Sequence, residues 1–281
     1  MAVTSQPSSQ PQESEPPPRS RFTSRGIPPL TYLGRIAQLP PVWAEGRSAL
    51  EYKRLLRSAV YRGEGVIRGE GRPVLLIPGF MAGDSSLLVL RDWLARCGYD
   101  AQLAGIWLNI RYSEAVMAHL GRRLNSLHHA SGSGVSVIGH SRGGLLGKVL
   151  ANRHPKLVDR VVTLGSPLGD PYDVHPLTMA GVRLAHVVNI LRYARRGGVE
   201  TPFLADLARP AAAPLWSIYT VSDGIVHWEA CLRPDAVCLP VAGSHTGLGM
   251  NREVYEILAR VLAEARPRPP AAASRSRRGG A

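Results

Sequence analysis

A G-x-S-x-G run at Gly139-His140-Ser141-Arg142-Gly143 constrains this chain more than any other feature of its sequence. A β-branched run at 135–138 precedes it, and a helix-forming stretch follows it to about Arg153. Strand, sharp turn and helix in this order are the setting in which a nucleophilic serine is exposed. Glycines on both sides of Ser141 let the strand and the helix approach closely. The pattern predicts strained backbone at Ser141, with its hydroxyl pointing away from the sheet.

Two further groups follow Ser141 in the order that such a site requires. A serine hydroxyl is a weak nucleophile, so it needs a base, and the base needs an orienting group. Asp223 lies in a turn after a strand predicted at 215–221, and His245 lies in a Gly-rich loop after a strand predicted at 236–241. Alone, each could be an ordinary turn or loop residue. Their order and their placement at strand ends favour a triad of Ser141, Asp223 and His245.

Acyl transfer also needs hydrogen-bond donors for the oxyanion that develops on the substrate. The backbone N–H of Arg142, next to the nucleophile, is one predicted donor. The second is assigned to the N–H of Phe80, with Met81 as the reserve, in the loop after a strand predicted at 73–77. Phe80 and Met81 could equally line an acyl pocket or serve as packing residues. Asp84 is predicted to cap the helix that follows.

These segments resemble the α/β-hydrolase superfamily and, within it, bacterial lipase-like and esterase-like (triacylglycerol-lipase-like) enzymes. The matching segments, which span roughly residues 72–264, are 76–80, 139–144, 163–167, 222–226 and 243–245. The resemblance implies a mostly parallel central sheet flanked by helices, with a helical lid or cap insertion. The chain has Pro78-Gly79 where many relatives have His-Gly, and Asn109 lacks the following glycine of an Asn-x-Gly motif.

The residues favour a serine hydrolase that cleaves carboxylic esters of small-molecule or lipid substrates. Because Ser141 and water carry out both half-reactions, this chemistry needs no metal or organic cofactor. Two alternatives stay open. The same triad could serve an acyltransferase or a thioesterase, which competition between water, alcohols and thioesters would distinguish. The fold could also be a non-catalytic binding module, which would not react with a fluorophosphonate probe.

Composition divides the chain into a folded domain and two polar ends. Residues 1–29 are rich in Pro, Ser and Gln and 265–281 in Arg and Pro, so both are predicted to be disordered, around a domain at 30–264. Within the domain, the segment 167–214 is longer than an ordinary loop and carries a helical pattern with apolar residues on more than one face. It is interpreted as a lid, with a permanently packed helix as the alternative. Tyr172 and Met179 are its candidate substrate-binding residues.

The net charge of +13 comes largely from arginine. No motif of a nucleic-acid-binding domain accompanies it, so no nucleic-acid partner is predicted. The charge is compatible with weak attraction to an anionic membrane surface. No secretory signal or membrane-spanning run is found, which favours a cytoplasmic location and free thiols at Cys231 and Cys238. The sequence makes no prediction of oligomeric state.

Overall fold

A single sheet of six parallel strands forms the centre of the protein in a computed structural model that describes residues 42–193 and 200–264. The strands are β1 (Pro73–Ile77), β2 (Asp100–Leu103), β3 (Val135–His140), β4 (Val158–Leu164), β5 (Leu215–Tyr219) and β6 (Val237–Pro240). Their order across the sheet is β2-β1-β3-β4-β5-β6, and every neighbouring pair is parallel. The parallel sheet predicted from the sequence is confirmed.

Helices cover both faces of this sheet. They are α1 (Ser48–Leu56), α2 (Ala59–Arg62), α3 (Leu88–Arg96), α4 (Ser113–Ser131), α5 (Arg142–Arg153), α6 (Pro176–Tyr193), α7 (Thr201–Ala208) and α8 (Arg252–Ala263). Side chains of α1, α3 and α8 pack with one face, and side chains of α4, α5 and α7 pack with the other. Because successive side chains of a strand point to opposite faces, Leu76 joins the first cluster while Leu75 and Ile77 join the second. Burial on both sides explains why the central strands are continuous apolar runs.

Two local predictions differ from the structure. The sequence from about Trp43 to Tyr61 has a partly apolar face that predicts one helix. The structure divides it into a 3₁₀ turn, α1 and α2, because the Ser58 hydroxyl accepts a hydrogen bond from the Tyr61 N–H and starts a new helix. The predicted cap at Asp84 is wrong. Its carboxylate instead accepts hydrogen bonds from the N–H groups of Gly105 and Ile106, at 2.8 and 3.1 Å. A distant loop therefore competes successfully for this side chain.

The insertion at 167–214 contains two helices with different surroundings. In α7, Phe203 and Leu207 are buried in the core, and the Lys148 ammonium of α5 donates to the Leu207 carbonyl at 2.7 Å. In α6, Leu177 and Leu184 are 70% and 67% exposed. The helical content predicted for the insertion is confirmed, whereas its action as a lid stays a prediction.

The segments 1–29 and 265–281, predicted to be disordered, lie outside the described residues. Within the described residues, no helix combines the length and the apolar character needed to cross a membrane. Cys97, Cys231 and Cys238 are free thiols.

Candidate active site

Ser141 lies at the junction of β3 and α5 with φ 51° and ψ −122°. A positive φ is strained for a residue with a side chain, and such strain is concentrated at functional sites. The two neighbouring glycines permit the turn. A Cβ at Gly139 would lie 2.3 Å from the Gly143 backbone, and one at Gly143 would lie 2.1 Å from the Ile77 carbonyl oxygen. The strained turn predicted from the sequence is therefore present.

Asp223 and His245 meet at the same edge of the sheet, beyond the carboxyl ends of β5 and β6. The imidazole Nδ1 of His245 lies 2.6 Å from Oδ2 of Asp223, and the two residues are only 3% and 2% exposed. The other oxygen of Asp223 accepts hydrogen bonds from the N–H groups of Ile225 and Val226, at 2.8 and 2.7 Å. Because the carboxylate is fixed by these two bonds, its second oxygen is aimed at the imidazole.

The electrostatic surroundings of His245 favour its protonated form. Burial alone would lower its pKa, but the negative charge of Asp223, the hydrogen bond to it and the charge of Glu45 outweigh burial, so the pKa of His245 is raised. Since Nδ1 is held by a carboxylate, it carries a proton in the neutral ring as well, and Nε2 is then the nitrogen that can accept one. This is the tautomer that a general base for Ser141 needs.

The turn that carries Ser141 is linked to the loop of His245, although no hydrogen bond joins the two side chains within residues 42–193 and 200–264. The link runs through the preceding residue, because Nε2–H of His140 donates to the His245 carbonyl oxygen at 2.9 Å. Burial and the charge of His245 lower the pKa of His140 to about 4. His140 is therefore neutral near pH 7 and holds the loop of His245 without competing as a base.

The loop that carries Phe80 and Met81 is held by Asn109. Met81 donates its N–H to the Asn109 carbonyl at 3.3 Å, the Asn109 N–H donates to Ala82 at 2.9 Å, and Nδ2 of Asn109 donates to the Pro78 carbonyl at 2.8 Å. The Met81 N–H is thus already used, whereas the Phe80 N–H has no acceptor in the part of the chain that the structure describes. This arrangement favours Phe80 over Met81 as an oxyanion donor.

The side chain of Arg142 connects this loop to the nucleophile. Its guanidinium donates to the carbonyl and to Oδ1 of Asn109, at 3.0 and 2.7 Å, and to the Arg111 carbonyl at 2.6 Å. The backbone of Arg142 adjoins Ser141, and its side chain bonds to Asn109, which holds the loop of Phe80 and Met81. The sequence predicts a role for the backbone N–H but gives no signal for this side-chain contact, because Arg142 and Asn109 are 33 positions apart.

Two of the four predicted substrate-binding residues, Phe80 and Met81, lie against α6. A Cβ at Gly181 of α6 would lie 3.3 Å from Met81 Sδ and from Cε1 of Phe80. Met81 is 61% exposed. Tyr172, just before α6, and Met179, in its first turn, are half-buried, and their role as wall residues stays a prediction.

One residue that contacts both the acid loop and the base loop was missed from the sequence. Glu45 accepts hydrogen bonds from the N–H groups of Gly224 and His245. It is separated from these residues by 179 and 200 positions, so no local pattern could reveal the contact. Among the described residues, no group of three or more His, Cys, Asp or Glu side chains is arranged to hold a metal ion.

Comparisons with known proteins identify the fold. A lipase from Bacillus licheniformis, in its mature form, superposes with a TM-score of 0.52 and 16% identity, over 70% of this chain and 94% of the lipase. The propeptide form of that lipase gives a TM-score of 0.53 and 17% identity, over 74% of this chain and 54% of the other. No protein-family model and no curated protein matches the sequence. The chain has an α/β-hydrolase fold, as its motifs predicted.

Proposed function

We propose that this protein is a serine hydrolase that cleaves carboxylic esters through an acyl-enzyme on Ser141. The observation that carries the proposal is the buried contact of 2.6 Å between Nδ1 of His245 and Oδ2 of Asp223, at the sheet edge where Ser141 occupies a strained turn. A fixed carboxylate, an oriented imidazole and an accessible serine hydroxyl are the groups required for nucleophilic acyl transfer.

The reaction proceeds in two halves. Ser141 Oγ attacks the ester carbonyl while His245 Nε2 accepts the hydroxyl proton, and Asp223 stabilises the imidazolium. His245 then gives the proton to the leaving alcohol, and an acyl-enzyme remains. Water repeats the sequence on the acyl-enzyme and releases the acid. The Ser141–His245 hydrogen bond is expected to close when substrate binds, because catalytic hydrogen bonds are often long in free enzymes.

The oxyanion is proposed to bind the backbone N–H groups of Phe80 and Arg142. Both donors belong to segments that are fixed by the guanidinium of Arg142 and by Asn109. Such preorganisation is what makes an oxyanion site effective, since the donors need not reorganise as charge develops.

Activity is expected with p-nitrophenyl esters, and its pH dependence follows from His245. Only the neutral imidazole can accept the serine proton, so kcat/KM falls as pH decreases through the pKa of His245. Because that pKa is raised, the acidic limb is expected at a pH above 6.5, the ordinary value. A kcat/KM profile on p-nitrophenyl butyrate measures it in the free enzyme. An acidic limb below 6.5 contradicts the raised pKa of His245, and no turnover of any ester contradicts the proposed function.

The lid assignment is proposed for α6 alone, with Phe80 and Met81 beneath it forming an acyl-chain wall. Replacing Gly181 by leucine adds bulk against both side chains. We expect kcat/KM for p-nitrophenyl laurate to fall about tenfold, since a few methylene groups of misfit in an apolar pocket have effects of about this size. The value for p-nitrophenyl acetate should stay within about twofold.

The matched control for this wall is Ala180→Leu, one position along α6 on its exposed side. It should leave both substrates unaffected. An unchanged laurate rate in Gly181→Leu would remove α6 from the acyl-binding site.

A further inference from the structure

Glu45 lies in a 3₁₀ turn (Val42–Arg47) that precedes every strand of the sheet, yet it contacts the loops that carry Asp223 and His245. The residue is only 8% exposed. Buried carboxylates are rare unless their oxygens are satisfied by hydrogen-bond donors, so the partners of this group indicate its role.

Both carboxylate oxygens of Glu45 are occupied. Oε1 accepts hydrogen bonds from the N–H groups of Gly224 and His245, at 3.0 and 3.1 Å. Oε2 accepts from the N–H and the hydroxyl of Thr246, at 2.8 and 3.0 Å. Gly224 follows the proposed acid and Thr246 follows the proposed base. One carboxylate therefore joins the backbones of the two loops directly beside their functional side chains.

Glu45 is also a charge near the imidazole. Burial alone would raise its pKa, but the hydrogen bonds from Thr246, Gly224 and His245 outweigh burial, and the pKa of Glu45 is lowered. The group is an anion at neutral pH. The titratable groups that face His245 are Asp223 from the acid loop, His140 from the end of β3, and Glu45 from the N-terminal turn.

A second buried carboxylate of the same N-terminal region supports the base loop. Glu51 of α1 accepts hydrogen bonds from the N–H and the hydroxyl of Ser244, both at 2.9 Å, and from Nδ2 of Asn251 at 3.3 Å. A Cβ at Gly247 would lie 2.1 Å from Glu51 Oε2, so the loop passes close to this side chain. The backbone on both sides of His245 is thus fixed by the segment that precedes the sheet.

We propose that Glu45 is a positioning residue, which fixes the Asp223 and His245 loops relative to each other and places a negative charge beside the imidazole. The catalytic part of this inference rests on the function proposed above. Glu45 bonds to backbone N–H groups and to the Thr246 hydroxyl, and no hydrogen bond joins it to an imidazole nitrogen in the described residues, so it acts through the Asp223–His245 pair.

Glu45→Gln tests the proposal because a glutamine has one accepting oxygen and one donating amide. It cannot accept from both Gly224 and Thr246, and it carries no charge. We expect kcat on p-nitrophenyl butyrate to fall at least about tenfold, since a shift of roughly 1 Å in a catalytic group can cost about a hundredfold. KM should change by less than about twofold, because Glu45 does not contact substrate. The pKa of His245 should fall, because a nearby anion is lost.

Two further variants separate positioning from simple loss of stability. Asp235→Asn removes another partly buried carboxylate that binds a backbone N–H, that of Ala211, at the amino ends of β5 and β6, away from the carboxyl ends that carry Asp223 and His245. It should leave kcat and the His245 pKa unchanged. Glu45→Asp keeps the charge but shortens the side chain, so it should lower kcat while changing the His245 pKa less than glutamine does. If Glu45→Gln does not fold, kcat and the His245 pKa are measured in Glu45→Asp instead.

The readouts are steady-state kinetics and an NMR titration of the His245 ring, assigned by its loss in His245→Gln. The titration does not depend on esterase activity, so it tests the effect of the charge even if wild-type protein cleaves no ester. The inference is overturned if folded Glu45→Gln has the wild-type kcat and the wild-type His245 pKa. If only Glu45→Asp folds, the same result in that variant overturns it. Either result leaves the proposed function intact.

Discussion

Ser141→Ala is expected to reduce ester hydrolysis about a millionfold, the size of effect seen when the nucleophile of a serine hydrolase is removed. The proposed mechanism has no substitute for its hydroxyl, because the neighbouring His140 is neutral and uses Nε2–H to hold the His245 carbonyl. Covalent reaction with a fluorophosphonate should disappear with the activity. Loss of both signals in a folded protein identifies Ser141 as the nucleophile.

A glycine at the same position separates chemistry from backbone strain. Ser141→Gly should be as inactive as Ser141→Ala, but it should be more stable, because glycine adopts φ 51° without steric cost. Relief of such strain is expected to raise the free energy of unfolding by about 1 kcal/mol after the greater chain entropy of glycine is subtracted. Chemical denaturation of the two variants measures the difference.

The control for both variants is Ser126→Ala, an exposed serine of α4 whose hydroxyl donates to the Arg122 carbonyl. It should retain wild-type activity and labelling. If Ser141→Ala is still labelled by the probe at the wild-type rate, the nucleophile lies elsewhere.

Local patterns predicted the parts of this structure that depend on neighbouring residues. The buried run of β3, with Gly139 near its end and Gly143 just after Ser141, predicts one sharp turn, and that turn is present. The proximity of Asp223 and His245 could be predicted because residues at the carboxyl ends of parallel strands lie along one edge of the sheet. These predictions needed only the order of the strands along the chain.

Contacts between distant segments could not be predicted in this way. Asp84 has the sequence context of a helix cap, but its carboxylate accepts hydrogen bonds from the N–H groups of Gly105 and Ile106 instead. Glu45 has the context of an ordinary surface acid, and its burial depends on loops about 200 residues later. A polar side chain is buried where hydrogen-bond partners are available to it. A single sequence does not show which distant residues will supply those partners.

Asp223→Asn is expected to lower kcat about 10⁴-fold while preserving the fold of its loop. The amide oxygen can still accept the N–H groups of Ile225 and Val226, which now bond to Oδ1. The amide nitrogen then faces His245 Nδ1 as a donor. Nδ1 must give up its proton in the neutral ring, so the proton moves to Nε2. An imidazole with Nε2–H cannot accept the Ser141 proton.

Measurements of kcat, of the rate of fluorophosphonate labelling and of thermal unfolding distinguish this effect from misfolding. Activity and labelling should fall together while the melting temperature changes little. A kcat within about tenfold of wild type would falsify Asp223 as the orienting acid.

The double variant Asp223→Asn, Glu45→Gln connects this result to the role of Glu45. Glu45 can act on catalysis only through the orientation and charge of the Asp223–His245 pair, since its oxygens bond to Gly224, His245 and Thr246 backbone groups and to the Thr246 hydroxyl. Once the pair is in the wrong tautomer, removing Glu45 should lower kcat by much less than it does in the wild-type background. Residues that act as a unit are not additive. Equal losses in both backgrounds would mean that Glu45 affects the enzyme by a separate route.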